Sequence, residues 1–336
     1  MPSRVGTRRA FRYLDARGNV IRDAAVLERI EDLAIPPAWK DVWIAARPGA
    51  KLQATGYDKA GRKQYLYNAS YRAAQEQAKY DRLILFGERL PGLRAAMSEH
   101  LDRDELDRDR VSAVALRVIS LGWFRVGSER YAQEGTYGVT TLLRRHVKVR
   151  GRRINLSFPS KAGIRVRCEL VDEEIADAIR GLQTVKGGPR IFKYRWEDEL
   201  YNLTSKRLND YVKIYLGEEF SAKDFRTWGG TLLAAIYFAE QAEQHGFPEA
   251  DREQRRSVSS VMQRVAKQLG NTPAVTRSSY VSPAVVEQYL DGRTIDDFRP
   301  RHLRLVKARD PELSPEEHAV LSLLRSWRIR EARKAA

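Results

Sequence analysis

The 336-residue chain is predicted to be an α+β protein, with a small β-rich domain over 1–80, a mostly α-helical domain over 81–292 that contains a small antiparallel sheet, and a basic helical tail over 293–336. Three observations predict this. Apolar and β-branched residues alternate with period two in the first eighty positions, the spacing changes to three and four from about Ser70, and alternation returns only over 145–170.

In the first region FRYLDARGNVI, IPPAW, VWIAARPG and KLQATGYDKAGRKQYLY read as β-like runs, with turns at DARG and DKAG and one helix near 23–33. AAQEQAKYDRLILFGERL and RVSAVALRVISLGWF then place apolar residues on one helical face. RHVKV, INLSF and IRVRCELV form strands around a GRR turn, with Cys168 alternating as a buried strand residue and Lys161 in the loop. Later helix starts carry capping chemistry: Ser221 with Asp224, Thr272 and Ser282 each followed by proline, and Ser314-Pro315 with Glu317. Arg226 therefore lies near the start of one helix, and Tyr280 lies just before another.

Charge narrows the function. Sixty Lys and Arg against 44 Asp and Glu leave +16, an excess that suits a polyanionic partner, and duplex nucleic acid is the economical reading. The excess is uneven: 1–82 carries 16 basic and 9 acidic residues and 125–165 carries 10 and 2, but 166–220 carries 9 and 11. One cysteine excludes an intrachain disulfide and fits a reducing compartment. The start MPSRVGTRRAFRY lacks a signal-peptide core, and the longest apolar run, LLAAIYFA, is far short of a bilayer span. A cytoplasmic, nucleoid-associated monomer without membrane contact is the expectation. Five scattered histidines show no metal-ligand spacing, and no GxxxxGK[ST] loop is present, so neither a metal nor ATP is expected.

Cleaving a phosphodiester without a metal requires a nucleophile, donors for the non-bridging oxygens and an acid for the departing oxygen. Tyrosine, arginine and lysine meet those needs. Taken singly, the candidates have ordinary readings: Tyr280 as a packing residue, Arg226 as a partner of Trp228 or Asp224, Lys161 as a turn lysine, Asn271 as a helix C-terminal residue. Their order along the chain argues otherwise.

FRVGSERY at 124–131, FPSKAG at 158–163, AKDFRTWGGT at 222–231, LGNTPAV at 269–275 and SSY at 278–280 together resemble the motifs of the poxvirus-like type IB DNA topoisomerases, over about 28–292. The resemblance implies that Tyr280 is the nucleophile and forms a 3′-phosphotyrosyl bond with one DNA strand. It implies that Arg125, Arg226 and Asn271 hold the phosphate, with Lys161 as general acid and Lys223 beside the second arginine. It also implies religation without ATP, because one phosphodiester is exchanged for another. Asn271 stands where many members carry histidine, which suits hydrogen bonding better than acid catalysis, and Ser160 stands where a glycine is usual. GRKQYLY at 61–67 is similar to the family's major-groove segment and implies DNA contacts from Gln64, Tyr65 and Tyr67, with charge from Arg62 and Lys63. Tyr131 is a further candidate contact.

A tyrosine recombinase would use the same side chains, but those enzymes show histidine three positions before the second arginine, where this chain has Lys223. A non-enzymatic DNA-binding protein would need only the basic faces.

Overall fold

The computed structural model describes residues 3–7, 10–299 and 312–335. It divides into two compact units, Met1–Tyr80 and Asp81–Ala336. No helix among the described residues is long and apolar enough to cross a membrane.

The first unit contains β1 (Ser3–Thr7), β2 (Ala10–Leu14), α1 (Ala24–Asp32), β3 (Lys40–Ile44), β4 (Leu52–Tyr57) and β5 (Lys63–Tyr67). The strands form one antiparallel sheet in the order β2-β1-β3-β4-β5. Ile30 of α1 packs with Ile35, Val42, Ile44 and Ala54, so the helix covers one face of the sheet. Asp23 caps α1 by accepting from the Val26 amide at 3.0 Å. IPPAW, read as a β-like run, is a turn instead. Its two prolines have no amide hydrogen to give a ladder, and the buried Arg4 side chain donates to the carbonyls of Ile35, Pro36 and Trp39.

α2 (Ala69–Leu101) begins where the spacing changes to three and four, at about Ser70. Its Ala, Gln, Glu, Lys and Arg residues are strong helix formers. The second unit continues with α3 (Arg108–Gly122), α4 (Glu129–Gln133), β6 (Val147–Arg150), β7 (Arg153–Pro159), β8 (Arg165–Val171) and α5 (Glu173–Thr184). β9 (Lys193–Trp196), β10 (Glu199–Asn202), α6 (Ser205–Leu216), α7 (Asp224–His245), α8 (Asp251–Leu269), α9 (Pro273–Ser279), α10 (Pro283–Leu290) and α11 (Pro315–Ala335) follow.

α3 is the central post of this unit: Val111 through Leu116, Val118 and Ile119 are all buried, and α5, α6, α7 and β9 pack around it. The expected small sheet is present as β6-β7-β8, with Leu156 opposite both Val147 and Cys168. Cys168 is half-buried rather than buried, because β8 is an edge strand. The hairpin β9–β10 was not foreseen; its KYRW and ELYN halves are too short and too charged to alternate visibly.

The tail is not an appendage. Leu313, Ala319, Val320, Leu321, Leu323 and Leu324 are buried, and α11 packs on α7 and α10. Reading 293–336 by its basic character obscured a helical apolar stripe in LSPEEHAVLSLL. The part of that tail over 300–311 lies outside the described residues.

Candidate active site

α3 ends at Trp123, whose φ of 47° turns the chain sharply. The next residues are then pinned, since the amides of Val139 and Thr140 donate to the carbonyls of Arg125 and Val126 at 2.9 and 2.8 Å. This fixes the base of the Arg125 side chain. Its guanidinium donates to Ser160 Oγ at 3.3 Å, to the Gly270 carbonyl at 3.2 Å and to Asn271 Oδ1.

Arg226 lies in the first turn of α7. Ser221 donates through its amide and its hydroxyl to Asp224 Oδ2 at 2.8 and 2.9 Å, which ties down the approach to the helix. The Arg226 side chain is 3% exposed. It donates to the Trp123 carbonyl and, at 2.8 Å, to the Leu269 carbonyl. Its Cζ stands 5.0 Å from the centre of the Tyr280 ring. Burial and the neighbouring Arg125 charge push the Arg226 pKa down to about 10, with Tyr280 opposing the shift. It remains a cation at neutral pH.

α8 ends at Gly270, whose φ of 60° is left-handed, and the Asn271 amide donates back to the Ala266 carbonyl at 3.0 Å. That turn aims Asn271 at Arg125. Its Nδ2 is buried without a hydrogen-bond partner, as is Arg226 Nε. Two buried donors therefore face a gap in the hydrogen bonding, an arrangement costly unless an acceptor arrives.

Tyr280 is the C-cap of α9, with its amide donating to the Thr276 carbonyl at 3.0 Å. Its own carbonyl accepts from Thr231 Oγ1 at 3.3 Å, and that hydroxyl accepts from the Ser282 amide at 3.1 Å. The glycines of WGGT have a steric purpose: a Cβ at Gly229 would stand 2.2 Å from the Trp123 ring, and one at Gly230 2.6 Å from the Tyr280 carbonyl oxygen. Lys161 opens a 3₁₀ turn between β7 and β8 and is exposed.

Arg125, Tyr131, Lys161, Lys223, Arg226 and Tyr280 all line one cleft of about 380 Å³. Asn271 is outside the lining but joined to it through Arg125. Motif reading gave no holding role to Ser160, Thr231 or the Trp123 carbonyl, which keep these residues in place. Their signal lies in tertiary contacts, which no linear spacing encodes.

In the first unit, β5 alternates so that Lys63, Tyr65 and Tyr67 are exposed while Gln64 and Leu66 turn inward. The Tyr65 and Tyr67 rings stack at 6.4 Å, and Tyr71 extends the row at 5.7 Å from Tyr67. Lys63 Nζ lies 5.9 Å from the Tyr65 ring centre, and Lys51 Nζ lies 4.3 Å from that of Tyr71. Gln64 Nε2 and Arg62 Nε both donate to Asp58 Oδ2, at 3.0 and 2.9 Å. Tyr71 and Lys51 are members of this face that the motif did not identify.

Two family models match the chain: the catalytic core of eukaryotic DNA topoisomerase I over residues 68–298, and the N-terminal domain of bacterial DNA topoisomerase IB over 10–58. A protein of Acanthamoeba polyphaga mimivirus named DNA topoisomerase 1B is 33% identical over 269 residues, covering 78% of this chain and 80% of the relative. The chain belongs to the type IB DNA topoisomerase family.

Proposed function

We propose that the family's strand transesterification is performed here by Tyr280, Arg125, Arg226, Lys161 and Asn271, acting as a monomer on duplex DNA. Tyr280 Oη, giving up its proton to solvent, attacks the scissile phosphorus, the P–O5′ bond breaks, and Lys161 gives its proton to the departing 5′ oxygen. The product is a 3′-phosphotyrosyl link and a free 5′-hydroxyl. Religation reverses each step, with Lys161 taking the proton back from the 5′-hydroxyl and Tyr280 regaining its own, and between the two steps the free 5′ end rotates about the intact strand so that supercoils relax. No ATP is consumed, since each phosphodiester bond broken is replaced by another.

Arg125, Arg226 and Asn271 hold the non-bridging oxygens as charge redistributes. Their preorganisation by backbone carbonyls means that little reorientation is needed when the transition state forms. Lys161 suits the acid role because an ammonium on a flexible stem can release a proton, which guanidinium cannot. Lys223 and Tyr131, at the cleft wall, suit contacts with flanking phosphates. In the other unit, Lys63, Tyr65 and Tyr67 suit the major groove, and Gln64 and Arg62 reach DNA by exchanging Asp58 for a base edge or phosphate.

One observation carries this reading: the phenol, both guanidiniums and the lysine line a single cleft, with Asn271 tied to one of those guanidiniums. The test is covalent trapping on a nicked duplex that releases its 5′ fragment, followed by peptide mapping. The expected adduct is on the peptide containing Tyr280, and Tyr280→Phe gives none while still binding DNA. An adduct on another tyrosine would overturn the assignment.

A further inference from the structure

α4 is a single turn that its own chemistry does not hold in place. None of its five residues is buried, and the Ser128 side chain makes no capping hydrogen bond to it. One turn of helix is unstable without tertiary support. Yet α4 carries Tyr131, which lines the cleft of Tyr280. The chain before α4 is fixed on its own account, by the amides of Val139 and Thr140 on the carbonyls of Arg125 and Val126. Gly127, with φ of 100°, closes this stretch, and a Cβ there would stand 2.9 Å from Thr141 Oγ1. On the far side, the amide and hydroxyl of Thr136 donate to the Tyr131 carbonyl at 2.9 and 3.2 Å. Among the described residues, the side chains of α4 make one tie to another element: Glu129 Oε2 accepts from Arg190 Nη2 at 2.7 Å.

Arg190 gives that tie a fixed end. Lys193 is 1% exposed, and its ammonium donates to the carbonyls of Val185, Gly187 and Gly188 at 3.2, 3.2 and 3.1 Å, which gathers the loop before Arg190 around a buried cation. The Arg144 amide donates to the Pro189 carbonyl at 2.9 Å and the Ile191 amide to the Leu142 carbonyl at 3.0 Å, so backbone hydrogen bonds hold both neighbours of Arg190. Its side chain is 14% exposed against 53% for Glu129, so the arginine is the anchor and the glutamate is what it holds. An ion pair with one such exposed member adds little to the stability of a whole domain. A turn with no buried residue is different, because a small energy decides where it sits. We propose that Arg190 is a positioning residue for DNA binding: through Glu129 it sets α4, and with it the Tyr131 ring, at the wall of the cleft. This rests on the DNA contact given above to Tyr131.

The sign of the effect separates this role from plain electrostatics. Removing an acid from a protein that binds DNA should tighten binding, and removing an arginine that meets a phosphate should lower the log–log salt slope by about 0.9. Positioning predicts neither. The experiment titrates labelled duplex with the full chain at several chloride concentrations. Glu129→Ala changes an exposed residue to a good helix former, so the fold is kept; it should weaken binding about threefold at every salt concentration, the size of a lost exposed ion pair. Arg190→Ala should weaken binding equally with the slope intact, the double variant should be no weaker than either single one, and neither change should matter in a Tyr131→Ala background. Tighter or unaltered binding by Glu129→Ala, a lowered slope in Arg190→Ala, or a further loss from either change in Tyr131→Ala overturns the proposal. Tyr131→Ala that binds like wild type removes the Tyr131 contact and the positioning role with it. Weakened Tyr131→Ala beside unaffected Glu129→Ala removes the positioning role alone.

Discussion

The indole Nε1 of Trp228 donates to Oε1 of Glu317 at 3.0 Å, linking the helix of the second arginine box to α11. Glu317 also accepts from both terminal nitrogens of Arg94, at 2.8 and 2.7 Å, and from the Ser314 amide at 3.0 Å. Arg226 is two residues from Trp228, so the C-terminal helix braces the wall of the cleft.

That brace predicts a stability effect with a defined pH dependence. Burial alone would raise the Glu317 carboxyl, but the Arg94 hydrogen bonds and charge, the Ser314 amide and the Trp228 indole outweigh it and hold its pKa below the ordinary value. A depressed carboxylate stabilises the fold above the unfolded-state pKa, about 4.3 for Glu, and that contribution is lost as pH falls through the folded value. Glu317→Gln should cost about 3 kcal/mol at pH 7, the low end for a broken buried pair, because the Arg94 side chain is still 21% exposed. The difference from wild type should shrink below pH 4. A denaturant midpoint unchanged at pH 7 would contradict this.

Arg226→Lys tests whether the guanidinium fork matters beyond its charge. The arginine donates to the carbonyls of Trp123 and Leu269 while leaving Nε open. A single ammonium cannot span both carbonyls and also meet a phosphate oxygen. Single-turnover cleavage should fall by about 10²–10³, the usual loss for one preorganised donor, with DNA affinity within a few-fold of wild type. Cleavage at near wild-type rate would mean that charge alone suffices.

The two domains and the cleft were legible to different extents. The small sheet at 145–170, the helix near 23–33 and the caps at Thr272 and Ser314 were readable because they depend on local periodicity and short-range hydrogen bonds. The role of the tail was not, because a net charge says nothing about which face of a helix is apolar, and Leu321 and Leu324 are buried beneath charged neighbours. The candidate site residues were found through motif order. Spacing carried no sign that the buried Ser160 accepts from Arg125, or that Thr231 holds the backbone on both sides of Val281.

That last contact makes the backbone at Tyr280 sensitive to a single methyl group. Gly230→Ala would put Cβ 2.6 Å from the Tyr280 carbonyl oxygen and 3.1 Å from its Cβ, and backbone cannot give way as a flexible side chain can. The helix itself favours alanine over glycine, so the fold should survive while the phenol moves off line. Displacement of order 1 Å costs about 10² in rate. The expected result is unchanged far-ultraviolet circular dichroism and DNA affinity, with adduct formation slowed by roughly that factor. A rate within twofold of wild type would show that the loop before α10 adjusts freely.

Lys63 and Tyr65 neighbour each other in space on the exposed face of β5, yet their substitutions should fail differently. A lysine that neutralises a phosphate releases a counterion, so Lys63→Ala should lower the log–log salt slope of duplex binding by about 0.9. Tyr65 is uncharged and contributes through contact alone, and Tyr65→Ala should weaken binding about tenfold at every salt concentration with the slope intact. Titrations of labelled duplex at several chloride concentrations separate the two effects. Equal slopes for wild type and Lys63→Ala would remove Lys63 from the phosphate contacts, and a slope change in Tyr65→Ala would mean that its loss alters how the neighbouring lysines meet the backbone.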